Sequence, residues 1–322
     1  MYALRNLRST VQAPFARLLR AAPTAAAGAL FVLLALAARP GLHAAEAIPN
    51  GQGVLWKIDG AKAGVAPSYL FGTIHITDER VLDLPAPVRK AFAAAANATF
   101  EIIMTDDVRA MMGRAMVLDD GRTLDGILSP ELFAGTLEAG RRYGLTENQV
   151  RRLKPWALAT VFSIPQAELA RGAAGTLPLD QWLQAEAQRT GKALHALETP
   201  QEQIDLFNGM AEPDQIDMLA AAVSDNAAIE AMFDDLTNAY LARDVAAIFD
   251  SMTTQTSAAG ARFMELFLRR FNDARNKTMA RRMEPILSEG GAFVAVGALH
   301  LPGEGGLVSL LRARGYRVTR AY

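Results

Sequence analysis

The chain has 322 residues, 51% of them apolar and 21% charged, with 33 basic and 34 acidic side chains and no cysteine. This is the balance of a globular protein with enough length to bury a core, and it excludes a disordered chain, a collagen-like fibre and a small stapled scaffold. A formal charge of −1 makes nucleic acid an unexpected partner, and the lack of cysteine excludes disulfides, thiolate metal sites, iron–sulfur clusters and cysteine nucleophiles.

Residues 1–47 read as an export signal. Arg5, Arg8, Arg17 and Arg20 open it without an acid, and an apolar run follows from about Ala25 to Ala38. That run is shorter than the roughly 20 residues a bilayer span needs. Ala45-Glu46-Ala47 then fits the small-x-small cleavage rule. An uncleaved membrane anchor and an Arg-rich transit peptide are the alternatives. Cleavage removes five of the 33 basic and one of the 34 acidic residues, leaving 275 residues with a charge of −5. No later run is long enough to span a membrane. Export without cysteine suits a periplasmic or secreted protein.

The mature part, 48–322, reads as a single domain of α/β (α+β) class. Val54 to Ile58 and Ser68 to Phe71 predict a β-hairpin over about 54–76. Pro85 to Ala96 predicts a helix with proline at its start, and Thr99 to Met104 a buried strand, together a βαβ-type unit. The region 106–190 reads as mostly helical, with Thr146-x-x-Gln149 as a capping box and an amphipathic stretch at 179–188. Lys192 to Glu198 predicts a strand. Thr199-Pro-Gln-Glu202 then starts a helix by combining an N-cap, a proline and a capping-box acid. Residues 200–290 read as mostly helical, broken near Glu212-Pro213 and 257–260. Strand 292–296, helix 306–314 and strand 316–320 close the chain. The expected architecture is a mixed sheet built from both ends of the mature chain, with a large helical insertion.

Two segments echo each other. Tyr69-Leu-Phe-Gly72-Thr-Ile-His75 lies near the start and Phe293-Val-Ala-Val-Gly297-Ala-Leu-His300 near the end, each an apolar strand followed by Gly-x-x-His. Gly72 and Gly297 permit a tight turn or a close approach of another backbone. His75 and His300 then fall at strand carboxyl ends, where open α/β sheets bind ligands, and two converging imidazoles can bind a divalent metal. Glu101 interrupts an apolar strand and needs a partner, since an unpaired buried charge costs several kcal/mol. A metal or an arginine supplies one. Glu198 ends another strand, and Arg275 and Asn276 offer a cation and an amide. The ordinary alternatives are a salt-bridged Glu101 and a Glu198 that merely precedes a helix start. His195 reads as structural. Trp56, Trp156 and Trp182 read as packing residues, Met111, Met112 and Met116 as core, and Asp106-Asp107 and Asp119-Asp120 as solvated caps.

These motifs resemble the TraB/GumN family, which includes the Tiki proteases. The resemblance is carried by FGTIHI (71–76), TFEIIM (99–104), LPLDQWLQAEAQRTGKALHALETPQEQ (177–203), RNKTMARRMEPIL (275–287) and FVAVGALHLPGEGGLVSLLRARGYRV (293–318). It implies a fold similar to the erythromycin esterase and ChaN superfamily, with His75 and His300 as the motif histidines and Glu101 as the acid after the first. Tiki relatives are metal-dependent peptidases. The expectation is therefore an exported metal-dependent hydrolase of a peptide or ester. His75, Glu101 and His300 would hold Mn²⁺, Co²⁺ or Zn²⁺, Glu198 or Glu101 would act as base, and Arg275 or Asn276 would stabilise the oxyanion. A metal-free variant with one histidine as base stays open. So do a periplasmic haem- or metal-binding protein without turnover and an inactive structural envelope protein.

Overall fold

Leu55–Asp59 (β1) and Ser68–Thr73 (β2) pair antiparallel, Leu55 opposite Phe71, as the hairpin reading of 54–76 predicts. The computed structural model describes residues 48–59, 64–224, 228–253 and 268–322. The expected export signal and the expected helix break at 257–260 lie outside the described residues.

After β2 come α1 (Glu79–Leu82), α2 (Ala86–Ala94) and β3 (Asn97–Phe100). A helical stretch follows: α3 (Asp106–Ala115), α4 (Pro130–Arg142), α5 (Glu147–Arg152), α6 (Pro155–Phe162), α7 (Gln166–Ala173) and α8 (Leu179–Arg189). Next are β4 (Ala193–Ala196), α9 (Pro200–Asn208), α10 (Glu212–Ser224), α11 (Ala228–Leu241) and α12 (Val245–Thr253). A π-helical turn at Leu268–Asp273 leads into α13 (Ala274–Glu289), then β5 (Ala292–Gly297), a 3-10 turn at Ala298–His300, α14 (Leu307–Ala313) and β6 (Arg317–Arg320). Both predicted capping boxes are present, at Thr146/Gln149 and Thr199/Glu202, so each helix start satisfies orphan backbone donors with its own side chains. The predicted break before Pro213 is real: α9 ends at Asn208 and α10 begins at Glu212.

The six strands form one mixed sheet in the order β4-β3-β5-β2-β1-β6. From β4 to β2 all neighbours are parallel, and β1 runs antiparallel to β2 and β6. The chain's two ends thus supply the centre of the sheet, with Phe71 opposite Ala295 and Gly72 opposite Val296. Fourteen α-helices surround it among the described residues, which makes the fold α/β. Side chains alternate across β5: Phe293 and Ala295 join the core under the helical insertion, Val294 and Val296 the core under α13 and α14. Phe293 meets Phe92 edge to face, ring centres 5.1 Å apart. Such burial on both faces explains why β5 reads as an unbroken apolar run.

The expected strand at 99–104 is shorter than its sequence indicates. Pairing ends at Phe100, and Glu101 stands just beyond the strand end rather than inside it. Its side chain is drawn across the sheet's edge to partners described below. Trp56 and Trp156 are buried, Trp156 stacked on Phe207 at 4.7 Å, and Met116 is core, while Met111 and Met112 are half-buried.

Candidate functional site

Four consecutive parallel strands end at one edge, and each delivers a singled-out side chain there. His75 follows β2 by two residues, Glu101 follows β3 directly, Glu198 follows β4 by two, and β5 runs through Gly297 into the turn carrying His300. Gly72 is where the two echoing motifs touch. A Cβ there would lie 2.7 Å from Leu301 Cδ1 and 2.9 Å from the Ala298 Cα. The need is close approach rather than a special turn, since neither motif glycine has positive φ. Gly297 serves a different end: its N–H donates to Glu101 Oε1 at 2.7 Å.

Arg275, in the first turn of α13, sits at the centre. Its Nε donates to Glu198 Oε1 at 2.8 Å, and Nη2 donates to Glu198 Oε2 and Glu101 Oε2, both at 2.6 Å. Nη1 donates to the Phe271 carbonyl at 3.2 Å and faces His300 Nε2 at 3.2 Å. Gln203 spans the same carboxylates, Nε2 lying 3.1 Å from Glu198 Oε2 and 3.5 Å from Glu101 Oε2. Burial pushes the Glu101 carboxyl up, but Arg275, the two histidines and the Gly297 N–H outweigh it and hold it at about 2. Glu101 is therefore an ionised acceptor at neutral pH and has no proton to give. The Arg275 guanidinium is raised against its own burial by Glu101 and Glu198.

Asn276 orients His300. Asn272 Nδ2 donates to the Leu299 carbonyl, so its Oδ1 faces Asn276 Nδ2 at 2.6 Å, and that amide also donates to the Gly305 carbonyl. Asn276 Oδ1 is left to accept from His300 Nδ1 at 2.6 Å. Backbone carbonyls only accept, so the relay fixes the proton on Nδ1 and the lone pair on Nε2. Burial, reinforced by the Arg275 charge, lowers His300 to about 3 and keeps it neutral. Both amide hydrogens of Asn276 are spent inside this relay.

His75 faces a different partner, one that the sequence reading passed over. Its Nδ1 lies 2.9 Å from Asp180 Oδ1, in the first turn of α8, without the alignment of a hydrogen bond, and among the described residues neither atom has another partner. Burial alone lowers the imidazole, but the charge and proximity of Asp180, then Glu101, raise it above its ordinary value. The loop after β2 is pinned where Glu168 Oε2 accepts from both the N–H and the hydroxyl of Thr77. His75, Glu101, Asp180, Gln184 and Gln203 line a hollow of about 40 Å³, room for an ordered water. His195 stays half-buried on edge strand β4, outside that lining.

Residues 54–320 match the model of the TraB/PrgY/gumN family. The chain belongs to this family. Among TraB-family relatives, metalloprotease TIKI2 of Danio rerio is 26% identical, the match covering 78% of this chain and 58% of that protein. The metalloprotease TIKI homolog of Nematostella vectensis is 25% identical (78% and 64%), and metalloprotease TIKI1 of Homo sapiens 24% identical (79% and 60%). The chain thus spans about three-fifths of the length of these relatives. No solved structure matches it.

The relatives' names carry a metal, for which His75, Glu101 and His300 are the expected donors. His75, Glu101 and His300 do not form a three-donor set as they stand. The Nδ1 of His300 is used by Asn276 and its Nε2 faces Arg275, while both oxygens of Glu101 accept from Gly297 and Arg275. Among the described residues no group of three or more histidine, aspartate or glutamate side chains is placed to hold an ion.

Proposed function

We propose that this TraB-family chain is a peptidase-like hydrolase that attacks a carbonyl of a peptide or ester at the edge where β2, β5, β3 and β4 end. The observation that supports it most is the meeting of His75, Glu101 and Asp180, from three distant segments, around one water-sized hollow, with Glu101 bonded in turn to Arg275. His75 is the group best placed to take a proton from a water there, because Asp180 favours the imidazolium that results. Glu101, ionised and tied to Arg275, acts as a fixed negative charge beside His75 rather than as an acid. Arg275 has each N–H engaged, so the oxyanion role first expected of it, and of Asn276, has no free donor in this arrangement. The metal-free variant of the hydrolase reading therefore fits these side chains better than the three-donor one. Export to the periplasm or outside the cell belongs to the same proposal. Among the described residues no helix is long and apolar enough to cross a membrane.

The test is turnover of quenched-fluorescence peptide libraries and activated esters by the purified chain, with chelator and separately with Mn²⁺, Co²⁺ and Zn²⁺. Cleavage that His75→Ala lowers by about 10²–10⁴-fold is expected for loss of a general base. No cleavage under any of these conditions, or cleavage indifferent to His75→Ala, overturns the proposal.

A further inference from the structure

The guanidinium of Arg275 has five N–H bonds, and the structure offers five acceptors, one for each: Glu198 Oε1 for Nε, Glu198 Oε2 and Glu101 Oε2 for Nη2, and the Phe271 carbonyl and His300 Nε2 for Nη1. The acceptors come from α13's own approach turn and from the ends of three different strands. Every one of them points at a planar fork. The Asn272–Asn276 relay completes the design by forcing His300 to present a lone pair, which suits an N–H donor and is lost if the ring carries its proton on Nε2.

The same corner has donors that a divalent ion would share. Glu101 Oε1 and His300 Nε2 lie 3.7 Å apart. Metal–ligand bonds of about 2.0–2.2 Å let one ion bridge such a gap. The position is taken, because the guanidinium already lies against Glu101 and against the Nε2 lone pair at 3.2 Å. No water layer separates them, so an ion there would meet a full positive charge in a buried setting, where repulsion is poorly screened. Two carboxylates, one guanidinium and a neutral imidazole leave the corner at −1. Replacing the guanidinium by a divalent ion would bring it to zero, so the charge of the corner suits either cation but not both.

We propose that Arg275 is the resident cation of the Glu101–Glu198–His300 corner, and that a divalent ion can be held there only when the guanidinium leaves. The corner is therefore a latent metal site, closed by an internal side chain. This stands whether or not the chain turns over a peptide, since it concerns which cation the corner holds.

Two measurements on the full exported domain test it. The first uses the unaltered protein, labelled with ¹⁵N, with the His300 ring signals assigned by their loss in His300→Gln. Equimolar Zn²⁺ is expected to leave both His300 ring nitrogens unshifted, with the proton on Nδ1. A shift of the Nε2 signal on adding zinc overturns the proposal, because the lone pair would then be open to the ion. The second is calorimetric titration with Zn²⁺. Arg275→Met is expected to bind at least tenfold more tightly than the unaltered chain, and the double variant with His300→Gln to lose that gain. Equal or weaker binding by a folded Arg275→Met variant overturns it. If Arg275→Met does not fold, the ring-nitrogen result on the unaltered protein decides alone.

Discussion

The two motif glycines occupy the same place in their Gly-x-x-His segments, yet the structure predicts opposite responses to one added methyl group. At Gly72 a Cβ would meet Leu301 Cδ1 at 2.7 Å, the Ala298 Cα at 2.9 Å and the Ala298 Cβ at 3.1 Å. The side chain of Leu301 can swing, but the Ala298 backbone cannot move without shifting the turn that carries His300. Both residues are buried, in the turn that follows β5. Overpacking of this kind costs about 1–3 kcal/mol. At Gly297 the nearest atom is Glu101 Oε1 at 3.4 Å, then His300 Cδ2 at 3.6 Å, and the backbone has φ −53° and ψ 137°, open to any residue. Gly297→Ala should stay within about 0.5 kcal/mol, the range of a change that meets no structural conflict. Urea denaturation of both variants measures the difference, and Gly72→Ala should also lower Tm by on the order of 5 °C. Equal stability of the two variants, or a larger loss at Gly297, refutes the assignment of close backbone approach to Gly72.

Two further outcomes follow from the histidines. In Asp180→Asn the charge that lifts His75 is gone and burial leads, so the His75 pKa read from its ¹⁵N ring signals should fall below its ordinary value; an unchanged titration means that Asp180 does not govern the ring. His300 has its folded pKa lowered to about 3 from 6.5, so the unfolded chain binds the extra proton first and the stability this group contributes is lost as pH falls from 6.5 toward 3. From pH 7 to pH 5 that is about 2 kcal/mol at 1.36 kcal/mol per unit. The raised His75 works in the opposite sense, its contribution being complete below 6.5 and lost as pH rises, so the comparison must be with His300→Gln. The loss between pH 7 and pH 5 should be smaller in that variant by about the same 2 kcal/mol, and equal slopes in urea titrations would refute the buried neutral His300.

Much of the sheet was legible because its signals are local. The repeated apolar run with Gly-x-x-His placed β2 and β5 as strands with their histidines at one end, and Thr199-Pro-Gln-Glu202 marked a helix start from four residues. Glu101 was legible as a carboxylate in need of a partner, and Arg275, one of the two kinds of partner weighed, donates to it at 2.6 Å. What periodicity could not show is contact across long stretches of chain. Asp180 at a helix start reads as ordinary dipole complementation, and only the fold brings it to His75, 105 residues away in sequence. Gln203, one residue past the Thr199-Pro-Gln-Glu202 helix start, carries no local signal of its own, although its amide joins two carboxylates. The strand at 99–104 was drawn too long because Ile102, Ile103 and Met104 are as apolar as a strand, while the pull on Glu101 comes from α13 and β5. Arg275 and Asn276 stand out in the sequence by charge and amide character, and their bonds to Glu198 and Asn272 are contacts that those traits alone do not specify.

The position of β5 has a consequence for the order in which the protein is made. This strand lies between β2 and β3, yet it is the fifth of six along the chain, so until residues 292–297 have been synthesised β2 can pair only with β1 and β3 only with β4, and the two halves of the sheet stay unjoined. The helices of residues 64–224 can form and pack early, but the edge where the four parallel strands end stays incomplete until β5 arrives. Pairing across such sequence distances is slow. A nascent chain emerging from the ribosome therefore lacks the finished centre until residues 292–300 have arrived.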